Sequence, residues 1–119
     1  MTTQSTLEAL QKRLQLLEDK DALNTLLNRY CNSADDHKWD EFASCFVPDG
    51  VLGFQNWEDI VGRENIAAGS RNAEDRFQGL QHSMTNVQIT VDGDTASARA
   101  YLLFAATMDT SKPREYHAF

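Results

Sequence analysis

The sequence predicts an α+β fold in which helices come first and an antiparallel sheet follows. Apolar residues recur at helical spacing through the first part of the chain, and from Leu80 onward their period changes to two. The pair Asp92-Gly93 then gives a strong signal for a tight hairpin between two strands. Helices followed by a meander of strands are typical of a domain whose helices cover one face of a sheet.

The length and charge of the chain narrow its functional classes. Its 119 residues suit a single domain, and its 41% of apolar residues suffice for one core. The net charge is −7 and the basic residues are scattered, which argues against nucleic acid as a partner. No segment is apolar enough to cross a bilayer, and the polar N-terminus lacks the apolar region of a secretion signal. A cytoplasmic protein without a membrane partner is therefore the default expectation.

The two cysteines, Cys31 and Cys45, do not indicate a metal site. They lack the paired spacing and the neighbouring histidines that zinc ligands show. Both lie in amphipathic helical patterns, which favours an interpretation as buried free thiols.

Three helices are predicted before the long hairpin. The first carries a leucine stripe at positions 7, 10, 14 and 17 and continues, after a bend or restart at residues 18–21, to Tyr30. The stripe has the spacing of a coiled-coil seam but covers barely two heptads, so packing against its own domain is favoured. The second helix has Trp39 and Phe42 on one face and ends before Pro48. The third runs from about residue 63 to residue 77.

The strands follow from alternating patterns and turn signals. A short strand is expected at residues 51–54, and the hairpin has a first arm through Val87, Ile89 and Val91 and a return arm from residue 94 to about residue 108. A turn at residues 110–113 precedes the start of another strand at residues 115–119. One domain is expected over residues 1–119, with residues 1–18 as a helical extension and a C-terminal strand that stops early.

The early stop leaves three explanations open. The chain could be truncated, a C-terminal segment could be disordered or missing, or a partner subunit could cover the edge, because natural sheets pair or cover an exposed edge.

Several segments, taken in order, carry a resemblance to a known family. They are residues 26–31 (LLNRYC), residues 39–50 (WDEFASCFVPDG), residues 62–66 (GRENI), residues 81–86 (QHSMTN) and residues 92–96 (DGDTA). Over roughly residues 20 to 109 this pattern resembles the SnoaL-like domain of the nuclear transport factor 2-like superfamily. The resemblance implies a cone-shaped, strongly curved antiparallel sheet, a cystatin-like roll, with the N-terminal helices on its concave face. The early stop would leave this cone without its last strand.

Within the superfamily, the likeness is nearest to the scytalone dehydratase and bile-acid dehydratase branch. Members of that branch use a tyrosine on the first helix, an aspartate after it and a histidine at the start of the central hairpin; the matching positions are Tyr30, Asp35 and His82. The resemblance implies a dehydratase (a lyase) or an isomerase that needs no metal or organic cofactor. Its substrate would be a small apolar oxygenated ring compound of polyketide, steroid or terpenoid type.

The chemistry of these three side chains suits that reaction. The imidazole of His82 can take and return a proton near neutral pH, and a carboxylate such as Asp35 can fix its tautomer. The phenol of Tyr30 can donate a hydrogen bond to a substrate carbonyl and stabilise the adjacent carbanion. Aromatic and sulfur-containing side chains are assigned to the substrate-binding wall, namely Phe54, Trp57, Met84, Tyr101 and Met108.

Each of these residues has a structural alternative. Asp35 or Asp36 could cap the second helix, and Asp36 has the better position for it. Tyr30 continues an apolar helical face, so a core tyrosine is an equal alternative. A lone histidine at a strand start is often structural, and His37 is interpreted as a solvated loop residue.

The register of the hairpin decides whether His82 can reach the core side of the sheet. A regular turn at Asp92-Gly93 pairs residue 91 with residue 94, which places His82 opposite Leu103 and on the same face as Tyr101. A one-residue bulge between residues 83 and 87 would move His82 to the face of Val87 and Ile89.

Two other functional classes remain open at this stage. One is a non-catalytic structural subunit, such as the small subunit of a ring-hydroxylating dioxygenase, and the other is a protein that binds an apolar ligand without converting it. A homodimer or a higher homo-oligomer is expected through the outer face of the sheet, whose hydrogen-bonding side chains are Gln88, Thr90, Ser97 and Arg99.

Overall fold

The computed structural model describes residues 2–108 and 117–118. Within them, helices occupy the first part of the chain and antiparallel strands the second, so the predicted α+β fold is confirmed. No helix in this part of the chain is long and apolar enough to span a membrane. The elements in chain order are α1 (Thr3–Asp35), α2 (Trp39–Ala43), β1 (Val51–Phe54), β2 (Trp57–Val61), α3 (Arg63–Glu74), β3 (Gly79–Asp92), β4 (Thr95–Thr107) and β5 (His117–Ala118).

The first helix, α1, is continuous over 33 residues, so the predicted bend at residues 18–21 was wrong. Thr2 caps its start, because the Thr2 hydroxyl accepts a hydrogen bond from the amide of Ser5 at 3.1 Å. The charged residues in the middle favour helix rather than interrupt it, and the side chain of Gln15 donates to Asp19 one turn further on at 2.8 Å.

The leucine stripe of α1 is exposed within the part of the chain that the structure describes. Leu7, Leu10, Leu14 and Leu17 are between 50% and 64% exposed. The favoured prediction, that this stripe covers its own domain, is therefore wrong for the described residues. The helix enters the core only in its last two turns, where Cys31, Ser33 and Ala34 are buried.

The core lies where the C-terminal end of α1 meets α2 and α3. Ala34, Trp39, Phe42 and Ala43 are buried together with Ile66 and Ala67. The apolar face predicted for α2 is therefore real, although the helix is one turn long and ends at Ala43. Cys31 is buried, Cys45 is half-buried and both are free thiols.

Neither aspartate before α2 caps that helix. Asp35 is the last residue of α1, Asp36 is its C-terminal cap, and the residue that precedes α2 is Lys38, which makes no side-chain cap. The alternative in which Asp35 or Asp36 caps α2 does not apply, because α1 extends further than its apolar pattern indicated.

The GRENI segment has a structural role at the start of α3. Gly62 has a positive φ of 93°, and its amide donates to the carbonyl of Gly50 at 2.8 Å. The guanidinium of Arg63 donates through Nε to the carbonyl of Phe46 at 2.9 Å. These contacts hold the segment after α2 against the start of α3. This helix ends at Glu74, three residues before the predicted end.

Strand β2 is an element that the sequence analysis missed. It pairs antiparallel with β1, and Ile60 packs on the core while the other four side chains of the strand are exposed. A strand with one inward-facing apolar side chain has too weak an alternation to be recognised from its pattern.

The hairpin of β3 and β4 has a different register from the predicted one. Its turn consists of Gly93 and Asp94, so that Asp92 pairs with Thr95 and Val91 with Ala96, rather than Val91 with Asp94. Of the two turn residues only Gly93 has a positive φ, at 57°, whereas a type I′ turn requires positive φ at both.

A one-residue bulge interrupts β3 between Thr85 and Gln88. Asn86 lies in it with a positive φ of 55°, a conformation that asparagine tolerates better than most residues. The bulge was the condition that the sequence analysis set for His82 to reach the core side, and it is present.

The last described element, β5, lies beside β4. Ala118 pairs with Ala105 and His117 with Ala106 in antiparallel register. The start of a strand predicted near the end of the chain is confirmed for these two residues, and the predicted turn at residues 110–113 lies outside the described residues.

A candidate acid–base site between helix α1 and strand β3

His82 lies on β3 with its side chain on the core side of the sheet. The cross-strand partner of His82 is Phe104, and their ring centroids are 4.7 Å apart. Because of the bulge, His82 and Met84 share a face with Val87 and Ile89 beyond it. The imidazole is buried against α1, with 7% of the side chain exposed.

Asp35 and His82 are in direct contact. Oδ1 of Asp35 lies 2.7 Å from Nδ1 of His82, and the same oxygen accepts the backbone amide of His82 at 2.9 Å. The Asp35 side chain is 20% exposed. The two hydrogen bonds fix both the position of β3 against α1 and the orientation of the ring.

This contact determines the tautomer of the neutral imidazole. An ionised carboxylate only accepts hydrogen bonds, so Nδ1 of His82 must carry the proton that it donates to Asp35. Nε2 then keeps its lone pair. The arrangement leaves Nε2 as the ring atom that can accept a proton, and the carboxylate stabilises the imidazolium that results.

Glu74, at the end of α3, is a site residue that the sequence analysis missed. Its Oε2 lies 3.9 Å from Nε2 of His82, and the Glu74 side chain is 26% exposed. Burial raises the pKa of Glu74, and the nearby Asp35 carboxylate raises it further, whereas His82 and His37 lower it. His82 is thus flanked by two carboxyl groups, one facing each ring nitrogen.

A signal for Glu74 was present in the sequence. Ile66, Ser70 and Glu74 follow one another at intervals of four residues, so they share one helix face. Ile66 and Ser70 are buried, and Glu74 continues this face toward the core. A charged residue on the inward face of a helix is the pattern that could have identified it.

Tyr30 lies near the C-terminal end of α1 and packs against the core. Its ring lies 4.7 Å from that of Phe42, within the aromatic core, and burial raises the pKa of Tyr30 to about 12. The charges of Cys31 and Glu74 raise this pKa further. Within residues 2–108 the phenol has no hydrogen bond to His82 or Asp35. The interpretation of Tyr30 as a core residue is therefore supported.

His37 is a structural residue and not the solvated loop residue that was predicted. It is half-buried with a positive φ of 57°, and its Nε2 lies 2.7 Å from the carbonyl oxygen of Phe77, to which it donates. The indole of Trp39 donates to the Asp75 carboxylate at 3.0 Å. These two bonds hold the connection between α3 and β3 in place. Glu74 precedes this connection in the chain and His82 follows it.

The residues assigned to the substrate-binding wall do not form one surface. Met84 is half-buried and on the same face as His82, whereas Tyr101, which pairs with Thr85, is on the opposite face. The placement of Tyr101 beside His82 was wrong because the predicted register lacked the bulge. Met108 is exposed just beyond the end of β4.

Phe54 and Trp57 are brought together at the turn between β1 and β2. Their ring centroids are 5.3 Å apart, and Trp57 is 73% exposed. This hairpin contacts α3, the helix that carries Glu74. The pair therefore forms an exposed aromatic tip and not a buried wall.

An open groove lies elsewhere, between the middle of α1 and the outer half of β3. Lys20, Asp21 and Asn24 line one side of it and residues 87–90 line the other. It contains none of the acid–base residues, because Asp35 and His82 meet at the C-terminal end of α1.

Comparison with known proteins places this architecture in a family. Residues 15–119 match the profile of the SnoaL-like domain. An uncharacterized protein of Mycobacterium tuberculosis is 29% identical over 84 residues, which are 70% of this chain and 57% of that protein. An uncharacterized protein of Mycobacterium bovis matches with the same identity and coverage. The matched region thus spans less than two thirds of the length of these relatives.

Solved structures agree with this assignment. A nuclear transport factor 2-like protein with a cystatin-like fold from Novosphingobium aromaticivorans matches with a TM-score of 0.77 and 27% identity, over 94% of this chain and 72% of that chain. A candidate scytalone dehydratase from the same bacterium matches with a TM-score of 0.74 and 21% identity, over 86% of this chain and 68% of that chain. The chain belongs to the SnoaL-like domain family of the nuclear transport factor 2-like superfamily.

Proposed function

We propose that this protein is a cofactor-independent dehydratase or isomerase in which His82 is the catalytic base. Its substrate is a small apolar oxygenated ring compound. The observation that carries the proposal is that one oxygen atom, Asp35 Oδ1, accepts two hydrogen bonds from His82. The ring N–H donates at 2.7 Å and the backbone N–H at 2.9 Å. That contact leaves Nε2 as the proton acceptor in a buried, water-poor position.

The first step would be removal of a proton from the carbon next to a substrate carbonyl. Nε2 of His82 takes the proton, and Asp35 stabilises the resulting imidazolium. Tyr30 supplies the hydrogen bond to the carbonyl oxygen on which negative charge develops. Because burial raises the pKa of Tyr30 to about 12, the phenol keeps its proton throughout the working pH range. Return of the proton elsewhere gives an isomer, and loss of a β-hydroxyl gives dehydration.

The named relatives support the reaction class. The candidate scytalone dehydratase from Novosphingobium aromaticivorans and a candidate dehydratase of the same superfamily from Streptomyces avermitilis share the fold of this chain. Their identity to this chain is 21% and 15%, so the likeness supports a scaffold suited to such chemistry, and the acid–base residues must carry the rest.

The hydrogen-bonded His–Asp pair favours an enzyme over the alternatives. A structural subunit of an oxygenase has no need for a buried imidazole whose base nitrogen is kept free by a carboxylate. A ligand-binding protein could hold the same compound without converting it, and turnover separates it from an enzyme. A cytoplasmic homodimer through the outer face of the sheet is part of the proposal; the exposed apolar side chains of Tyr101 and Leu103 on that face support it.

The test is proton exchange and turnover on a panel of cyclic ketones and β-hydroxy ketones, followed by NMR in D₂O. We expect exchange at the carbon next to the carbonyl with the wild-type chain. His82→Ala and Asp35→Asn should each reduce the rate by about 10²-fold or more, since a positioned base contributes that much. Asp36→Asn is the matched control, because Asp36 is the adjacent exposed carboxylate, and it should keep full activity.

Two outcomes would contradict the proposal. Equal activity of Asp35→Asn and Asp36→Asn would show that the pair is structural. Tight binding of panel members without exchange or turnover by the wild-type chain would favour the ligand-binding alternative.

A further inference from the structure

Glu74 occupies a position that the reaction described above leaves unused. It ends the inward face of α3 after the buried residues Ile66 and Ser70, so it reaches the site from the side opposite to α1. Asp35 faces Nδ1 of His82, and Glu74 faces Nε2, the proposed proton acceptor. A carboxyl group placed at the reactive nitrogen can take part in the same proton transfers.

Glu74 is held in this place by its neighbours. The residue that follows it, Asp75, accepts the indole N–H of the buried Trp39 at 3.0 Å. Two residues further on, the carbonyl of Phe77 accepts the imidazole N–H of His37 at 2.7 Å. These two hydrogen bonds hold the C-terminal end of α3, and the carboxyl group of Glu74 is therefore positioned before any substrate binds.

We propose that Glu74 is the general acid that protonates the leaving hydroxyl group when this protein eliminates water. The inference rests on the proposed function, because it assigns the second proton of that reaction. It makes Glu74 a catalytic residue and restricts the natural substrate class to compounds with a hydroxyl group β to the carbonyl.

The distance between the two groups fits this role. A separation of 3.9 Å between Oε2 and Nε2 is too long for a hydrogen bond between Glu74 and His82. It is short enough for one oxygen atom to lie about 2.8 Å from both. The oxygen of a β-hydroxyl group, and the water formed from it, can therefore contact the acid and the base together.

The protons and electrons balance over one cycle. Nε2 of His82 removes the proton from the α-carbon, and the electron pair of that C–H bond forms the new C=C bond. The C–O bond breaks, its electron pair stays on oxygen, and the carboxyl proton of Glu74 converts that oxygen into water. The imidazolium of His82 then returns its proton to the Glu74 carboxylate through the departing water. The products are the unsaturated ketone and water, and both residues are restored.

The surroundings of Glu74 favour the protonated form that an acid requires. Burial is the main reason that the pKa of Glu74 is raised, and the Asp35 carboxylate on α1 acts in the same direction. His82 on β3 and His37 after α1 lower this pKa, and Tyr30 on α1 is the other titratable neighbour. The acid is active below its pKa, so the rate of water elimination should fall as the pH rises through a value above the pKa of an ordinary glutamate.

The test compares two leaving groups with the full chain. The probe 4-hydroxy-4-phenylbutan-2-one needs a proton on its leaving oxygen, whereas 4-(4-nitrophenoxy)butan-2-one releases a stable phenolate that needs none. Glu74→Gln should slow release of water by about 10²-fold or more and change release of nitrophenolate by less than about 3-fold. Glu64→Gln, an exposed glutamate on the first turn of the same helix, is the control and should change neither rate.

The outcomes separate this inference from the proposed function. If the wild-type chain eliminates both leaving groups and Glu74→Gln slows both equally or neither, Glu74 is not the acid and the His82–Asp35 mechanism stands. The alkaline fall in rate should occur for water release and be absent for nitrophenolate release, a difference that a merely structural glutamate would not produce. If His82→Ala eliminates both leaving groups as fast as the wild-type chain does, His82 is not the base and the inference about Glu74 fails with it.

Discussion

The two ends of helix α1 have similar apolar spacing and opposite surroundings. The N-terminal half carries Leu7, Leu10, Leu14 and Leu17, and these side chains are at least half exposed. The C-terminal end buries Cys31, Ser33 and Ala34 and places Asp35 against β3. The C-terminal half repeats the helical apolar spacing with Leu23, Leu26, Leu27 and Tyr30, and these side chains are half-buried. Burial therefore depends on which other elements reach the helix.

The two ends of α1 also contribute differently to the stability of the fold and to the candidate site. Only the C-terminal end of α1 meets α2, α3 and the base of the β3–β4 hairpin, and there the helix supplies both core contacts and the carboxylate for His82. The N-terminal half adds little to the folding of a single chain. Substitutions along this helix should therefore fall into two groups, with large effects at its C-terminal end and small effects in its N-terminal half.

The largest loss of stability is expected from Phe42→Ala. Phe42 is buried and its ring lies 4.7 Å from Tyr30, so the substitution leaves a cavity beneath the C-terminal end of α1. We expect the free energy of unfolding to fall by about 3–5 kcal/mol. Urea denaturation followed by circular dichroism measures this free energy. A decrease smaller than about 1 kcal/mol would show that this region is not the core.

A smaller loss is expected from Asp35→Ala. The substitution leaves the backbone N–H and Nδ1 of His82 without their acceptor, and a buried unpaired donor costs about 1–3 kcal/mol. Asp36→Ala should change the free energy of unfolding by less than about 0.5 kcal/mol, because the Asp36 side chain is exposed. Equal losses of stability for both variants would contradict the role of Asp35 as the acceptor of the two His82 hydrogen bonds.

The bulge that turns His82 toward α1 is tested by Asn86→Val. A β-branched residue is strained at a φ of 55°, so the variant should lose about 1–2 kcal/mol of stability or shift the register of β3. Asn86→Gly is the matched control and should be at least as stable as the wild type. Amide hydrogen exchange across residues 79–85 reports the register, and a valine variant as stable as the glycine variant would exclude a strained bulge.

Stability against pH tests the environment of Glu74. Its pKa is raised in the folded chain, so the unfolded chain loses this proton at a lower pH than the folded chain does. The free energy of unfolding of the wild type should therefore fall as the pH rises above 4.5, the ordinary value, until Glu74 is ionised in both states. Glu74→Gln removes this decline, and its stability relative to the wild type should grow over the same range. Parallel curves for the two proteins would contradict the burial of Glu74.

The smallest effect is expected from Leu14→Ala. Leu14 is exposed and alanine is the better helix former, so the free energy of unfolding at low protein concentration should change by less than about 0.5 kcal/mol. A homo-oligomer that uses the stripe would instead show a concentration-dependent midpoint that the substitution removes. A loss above 1 kcal/mol at every concentration would mean that the stripe packs within the chain.

Most of the fold was predictable because strong local patterns specify it. Helical spacing and the alternation through Val87 and Ile89 each identified an element of the correct type, although α2 ends at Ala43 and not at Pro48. The boundaries were less accurate, since α1 continues through charged residues that themselves favour helix. Strand β2 was missed because only Ile60 on it packs on the core.

The site was predictable in part. The resemblance identified Asp35 and His82, and the structure brings these two side chains together. The face on which Tyr101 lies was mistaken, because one bulge residue reverses every position before it and a local pattern does not fix the register. Glu74 reaches the site through the packing of α3 against a distant strand, which spacing alone indicates only as an inward-facing charge.

Asp35 holds the neutral ring of His82 with its proton on Nδ1 and its lone pair on Nε2. Nitrogen NMR of the neutral imidazoles in the ¹⁵N-histidine-labelled chain measures this tautomer, and the His82 signals are those absent from His82→Gln. We expect a protonated Nδ1 and a bare Nε2 for His82, with this preference lost in Asp35→Ala. A His82 ring protonated at Nε2, or one whose tautomer is the same with and without the Asp35 carboxylate, would contradict it.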